Sequence, residues 1–155
     1  LGEKPFINKD YNNFISISGS VFDGEGQPLD DVMLETWQSD EKGEYSSDKG
    51  FARFIPNNVT KKYNLSTIKP GSVQNFEGKF QSPHISFSIS SRGINMNLNT
   101  RMYFEDDNLI KDPLLSLIKK SNNDVNSLIA KKIDESSYIF DIFLQGEKET
   151  IFLDV

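Results

Sequence analysis

The sequence predicts an all-β fold, a β-sandwich of mainly antiparallel strands with a single helical insert. Two observations carry that expectation: several short segments alternate apolar and polar residues one for one, and turn-forming residues separate them at near-regular spacing. No internal repeat or low-complexity tract interrupts the pattern, and many short strands with one helical stretch suit two sheets packed around one core.

From Phe14 to Val21, Ile15, Ile17 and Val21 alternate with Ser16, Ser18 and Ser20, the period of a strand with one buried face. Asp23-Gly24-Glu25-Gly26 and Pro28 supply turn chemistry, after which Val32 to Gln38 reads as the return strand. Tyr63 to Ile68 is a further strand, stopped at Pro70-Gly71. His84 to Ser90 sets Ile85, Phe87 and Ile89 against His84, Ser86 and Ser88. Ile94 to Thr100 sets Ile94, Met96 and Leu98 against Asn95, Asn97 and Asn99. Tyr138 to Leu144 and Thr150 to Leu153 read as a closing hairpin around Gln145-Gly146-Glu147-Lys148. The helical insert spans about 113–131: Asp112 is placed to cap it, Pro113 takes the first position, and Leu114, Leu117 and Ile118 share a face. Asp124 caps a second short turn carrying Val125, Leu128 and Ile129.

Length and composition set the remaining bounds. A chain of 155 residues is one domain with room for one core, here the sandwich at 13–155 behind an N-terminal segment at 1–12. Because the sequence opens at Leu1 rather than Met, that segment is expected to be truncated. Twelve Phe supply much of the apolar volume. A net charge of −6, with no cluster of Lys and Arg, argues against a nucleic-acid partner. There is no apolar run long enough for a membrane span and no basic-then-apolar leader. The absence of cysteine removes disulfides, thiolate metal sites and thiol nucleophiles together, and fits a cytoplasmic protein.

The chemistry-bearing residues are conspicuous by their scarcity. His84 is the only histidine in the chain. Non-haem iron and zinc sites usually take two or three imidazoles, or carboxylates and thiolates in defined geometry, so a lone His without Cys does not supply the common ligand sets. Taken alone, His84 reads as an imidazole tied up in local hydrogen bonds. No serine sits in a Gly-x-Ser-x-Gly elbow, and no glycine-rich phosphate loop is present. Asp30-Asp31, Asp40-Glu41 and Asp106-Asp107 are adjacent carboxylates beside turns, and read as solvated loop positions. From the residues alone, the chain is an all-β domain without a self-contained active site.

An ordered set of segments resembles the intradiol ring-cleaving dioxygenases. They are ISGSVFDGEGQPLDDVMLETWQSDEKGEY (17–45), TIKPG (67–71), SPHISFSISSRGINMNLNTRMYF (82–104), DPLL (112–115), SLIAKK (127–132) and YIFDIFLQGEKETIFLD (138–154). The resemblance implies an Fe(III) centre held in the catalytic chains by two tyrosinates and two histidines. The histidines are arranged as His-x-His because residues i and i+2 of a strand share a face. Here that spacing reads His84-Ile85-Ser86, so a hydroxyl stands where the second imidazole would be. Tyr45 stands at the first tyrosine position, Ser72-Val73 where the second would come after the Lys-Pro-Gly turn, and Gln81 where catalytic chains carry an arginine. Tyr45 and His84 are thus vestigial ligand positions, and no residue of this chain is expected to be catalytic or to hold metal.

These departures are those of the family's non-catalytic alpha chains, and Ser91 to Arg101 is close to the alpha-type sequence. The resemblance implies a homologous, iron-binding beta subunit as partner, with a carboxylated catechol at their junction. The reaction implied is intradiol cleavage of 3,4-dihydroxybenzoate to 3-carboxy-cis,cis-muconate. Arg92, in the Arg-Gly-Ile-Asn segment, is the expected substrate-binding residue, since a guanidinium can grip a carboxylate in bidentate fashion. The bland alternative for Arg92 is a surface or interface ion pair. A Gly-Pro-aromatic stretch of alpha chains is not found here, and Leu1 to Phe6 resembles the residues just beyond that stretch. Two further readings stay open: a partnerless sandwich serving as a binding or scaffold module, and a self-sufficient dioxygenase with a degraded metal site.

Overall fold

The structure is a computed structural model that describes residues 5–6, 11, 13–91 and 94–153. Its strands are β1 Phe14–Gly19, β2 Val21–Phe22, β3 Val32–Gln38, β4 Phe51–Phe54, β5 Tyr63–Ile68, β6 Val73–Gln74 and β7 Phe80–Gln81. After them come β8 His84–Ser91, β9 Ile94–Phe104, helix α1 Pro113–Lys120 and a 3-10 turn at Val125–Leu128. The last three strands are β10 Ile129–Asp134, β11 Ser137–Ile139 and β12 Ile142–Phe143. Eight strands form one continuous ladder in the order β4-β3-β8-β9-β10-β11-β1-β5, while β12 pairs with β2 and β6 with β7.

That ladder folds over on itself, so its two halves face each other as the layers of a sandwich. The alternation seen in the sequence decides which face turns inward. Ile15 and Ile17, Val32 and Leu34, and Ile85, Phe87 and Ile89 are all buried. Phe87 of β8 lies 6.1 Å from the Tyr63 ring of β5 and 5.3 Å from the Phe140 ring, so it joins the two halves across the core. Even the outermost strands approach, with the Phe54 and Tyr63 rings 5.7 Å apart. Burying a side chain of this size stabilises the fold by roughly 1.5–3 kcal/mol. The β-sandwich class is therefore what the alternating segments encode.

Several local expectations are corrected. The strand expected from Phe14 to Val21 is broken after Gly19. A Cβ at Gly19 would stand 2.0 Å from the Phe140 carbonyl oxygen, so only glycine lets the two backbones pass. Beyond the break, the amide of Ser20 donates to Asp141 Oδ1 at 2.8 Å. The segment Val32 to Gln38 is not the return partner of β1, because it pairs with β4 and β8. The helical insert is shorter than 113–131: Ile129 and Ala130 leave it to pair in parallel with Tyr103 and Phe104. Asp112 is the N-cap of α1, as its position before Pro113 suggested, and accepts from the Leu115 amide at 3.0 Å.

The expected closing hairpin also differs. β12 gives one edge to β2, and on its other edge the Thr150 amide donates to the Phe143 carbonyl at 2.9 Å. The returning Phe143 amide donates to the Thr150 hydroxyl rather than to a backbone carbonyl, so no ladder propagates into 150–153. Leu153 instead donates its amide to the Asn99 carbonyl at 2.7 Å. Among the described residues, no helix is long and apolar enough to cross a membrane.

Candidate functional site

Alternate residues of β3, β8 and β9, among them Glu35, Trp37, Ser86, Ser88, Asn99 and Arg101, fall on the face turned away from the core, where they line up in rows. One row runs Phe51, Trp37, Ser86, Arg101 across β4, β3, β8 and β9. The next runs Arg53, Glu35, Ser88, Asn99. At one end of this face His84 is paired with Tyr103. Two loops close over that end. The Gly71 amide donates to the Asp40 carbonyl at 2.8 Å, and Gly43, at φ +80°, passes so close to the Ser72 carbonyl that an added Cβ would stand 1.9 Å away. The loop carrying Tyr45 is thereby fixed against the Ser72-Val73 turn, and the Tyr45 ring stacks on Trp37 at 5.5 Å.

Arg101 is the centre of this arrangement. Its Nη1 donates to Gln81 Oε1 at 2.9 Å and to the Tyr103 hydroxyl at 3.0 Å. Tyr103 in turn donates to Asp112 Oδ1 at 3.0 Å. Asp112 is buried; its other oxygen accepts from the Ser82 amide at 2.8 Å, which ties the helix cap to the strand that begins with His84. His84 is only 3% exposed. Its Nδ1 donates to the Ser82 carbonyl at 2.9 Å, which fixes the tautomer, since a carbonyl can only accept. Burial first, and then the nearby Arg101 guanidinium, pull the imidazole pKa down to about 4, so the ring is neutral at pH 7. Burial raises the Tyr45 phenol above its usual value, with Arg101 opposing, and Tyr103 is raised by burial as well.

Of the positions singled out in the sequence, Tyr45, Gln81, His84 and Ser86 are thus gathered around one guanidinium. His84 is a satisfied imidazole, and its unprotonated nitrogen is Nε2. Tyr45 is 42% exposed and protonated. Arg92 lies outside the described residues. The residue that sequence reasoning missed is Arg101. The available signal was a break in composition: in the alternation of the sequence Asn95, Asn97 and Asn99 are followed by Arg101, a charge at the end of a run of amides.

The donor set does not fit the ferric centre implied by the family resemblance. That centre needs two phenolates and two imidazoles; at the corresponding positions this chain offers the phenol of Tyr45, the imidazole of His84, a serine hydroxyl at Ser86 and a serine or valine at 72–73, while the neighbouring Tyr103 phenol is tied to Asp112 and Arg101. A fixed guanidinium stands among them, and like charge disfavours both a metal cation and the imidazolium form of His84. Serine does not replace imidazole as an iron ligand, and Arg101 has no lone pair to offer.

Comparison with known proteins agrees with this reading of the fold. A family profile described as dioxygenase matches residues 4–146. The chain is 39% identical over 152 residues to the protocatechuate 3,4-dioxygenase alpha chain of Pseudomonas putida, covering 90% of this chain and 75% of that one. It is 28% identical over 155 residues to the protocatechuate 3,4-dioxygenase beta chain of Burkholderia cepacia, covering 88% of this chain and 66% of that one. Among solved structures, catechol 1,2-dioxygenase from Pseudomonas arvilla C-1 superposes with a TM-score of 0.71 at 20% identity, over 92% of this chain and 55% of that one. The dioxygenase domain of a carbohydrate-binding fusion from Streptomyces sp. SirexAA-E gives 0.70 at 20% identity, over 93% and 87%. At such identities the superpositions establish the fold alone. With the family profile spanning most of its length and the alpha chain of P. putida as a relative, this chain belongs to the intradiol ring-cleaving dioxygenase family, among its alpha chains.

Proposed function

We propose that this chain is the non-catalytic alpha subunit of a protocatechuate 3,4-dioxygenase-type enzyme, paired with a homologous beta subunit that carries the iron. The family uses Fe(III). The observation that carries the assignment is the substitution of the ligand cluster: Ser86 where a second imidazole belongs, with Arg101 among the remaining donors. A chain so altered contributes to ring cleavage by building the enzyme rather than by activating the substrate.

The reaction supported is dioxygen-dependent opening of 3,4-dihydroxybenzoate between its hydroxyl-bearing carbons, giving 3-carboxy-cis,cis-muconate in aromatic catabolism. The metal supplies the activation of the catechol toward dioxygen. This chain's share is assembly and orientation, the part of catalysis that comes from positioning. Arg92 is the residue proposed to receive the substrate carboxylate at the subunit junction, and the Arg-Gly-Ile-Asn motif supports it. The absence of cysteine supports a reducing, cytoplasmic setting.

Co-expression tests the assignment. The full-length chain alone is expected to show no ring cleavage, and to give activity only with a partner carrying two tyrosines and a His-x-His. A chain that ignores such a partner would instead be a scaffold or binding module. In the reconstituted complex, Arg92→Ala is expected to raise KM for the carboxylated catechol about tenfold more than for catechol itself, the scale of one lost charge-assisted contact. Equal effects on both substrates would remove Arg92 from the role.

A further inference from the structure

Beside Arg101 the outer face of the sheet holds a cleft of about 270 Å³, lined by Trp37, Phe51, Ser86, Ser88, Asn99 and Arg101. For scale, an apolar cavity of about 150 Å³ takes up benzene, so one substituted ring has room here. Trp37 and Phe51 stand side by side at one edge of the cleft, offering flat apolar surface. The hydroxyls of Ser86 and Ser88 and the Asn99 amide lie in the adjoining strands.

The charge distribution of the cleft is lopsided. Glu35 also lines it, but Arg53 already engages that carboxylate with Nη2 at 2.7 Å and Nε at 3.1 Å. Arg101 has no such counter-ion. Its hydrogen bonds run from Nη1 alone, to a neutral amide oxygen and a neutral hydroxyl. Its Nε is buried without a hydrogen-bond partner, and among the described residues no carboxylate lies within ion-pair distance of it. A guanidinium that is half withdrawn from water and lacks an anion is a receptor waiting for one.

We propose that this cleft binds an aromatic carboxylate, its ring against Trp37 and Phe51 and its carboxylate on Arg101. The face that lacks the metal donors thus presents a guanidinium, which suits an organic anion and not a cation. The site needs neither iron nor a partner, so its fate is separable from that of the subunit assignment.

Binding is read without turnover, by fluorine NMR titration of 4-fluorobenzoate into the full-length protein, with any partner subunit it retains. Arg101→Gln is expected to weaken one class of site at least tenfold, and Arg101→Lys to restore part of the loss. Fluorobenzene, which lacks the carboxylate, is expected to show no dependence on residue 101. Because Arg101 also holds Gln81 and Tyr103, Ser88→Leu serves as a second variant: it adds bulk to the cleft from a position that makes no hydrogen bond to Arg101, and is expected to abolish the same class of site. Unchanged affinity and stoichiometry in Arg101→Gln and Ser88→Leu would overturn the proposal.

Discussion

Replacing Asp112 by alanine tests whether the site is organised from behind. This carboxylate is 1% exposed and accepts three hydrogen bonds, from the Leu115 amide, the Ser82 amide and the Tyr103 hydroxyl. Loss of an N-cap costs about 1 kcal/mol. Leaving the Ser82 amide and the Tyr103 hydroxyl buried without an acceptor costs about 1–3 kcal/mol each. Relief from burying a carboxylate offsets part of that, so a net loss of about 3–4 kcal/mol is expected. Against a domain stability of roughly 5–15 kcal/mol, the effect is large. Asp112→Asn should fall between, since the amide turns a donor toward one of the three groups it must satisfy. Urea unfolding monitored by far-UV circular dichroism gives the difference from the midpoint at constant slope. A loss below about 1 kcal/mol for Asp112→Ala would show that α1 and the start of β8 are held together by something other than this carboxylate.

Packing and burial give two further expected outcomes. Phe87→Ala, at the contact with both Tyr63 and Phe140, is expected to cost about 3–5 kcal/mol in the same assay, because the two layers meet there and cannot close over the cavity. His84 is expected to make stability fall on acidification. Its folded pKa of about 4 lies below the ordinary 6.5, so between those values the unfolded chain takes up a proton that the folded chain refuses. Its contribution is complete above about pH 6.5, is lost as pH falls toward 4, and is worth about 3 kcal/mol across the window. Unfolding series at pH 7 and pH 4.5 should show that slope in the native chain and a shallower one in His84→Gln.

The strands that the sequence revealed best are those with one wet face. β8 alternates from Ile85 to Ile89 because one side meets the core and the other carries serine, and β9 alternates likewise from Asn99 to Met102. Strands of two to four residues, such as β4, β6 and β7, are too short to display a period. β10 was hidden for a different reason: after Ile129 and Ala130 it runs into exposed Lys131 and Lys132, so it alternates nothing and resembles the end of a helix. Pairing with β9 in parallel, a contact distant in sequence, is what makes it a strand. In the site, the missing second imidazole was legible from a single dipeptide spacing. Arg101 was not, since its significance depends on Ser86 and Gln81 facing it across the strands.

Metal analysis of the purified full-length chain, without a partner, decides whether this polypeptide can hold iron by itself. Iron far below one equivalent and no visible tyrosinate-to-iron absorption are expected, with the colour appearing only in complex with a His-x-His subunit. One tightly held ferric ion per isolated chain, lost on Tyr45→Phe or His84→Ala, would contradict the non-catalytic assignment.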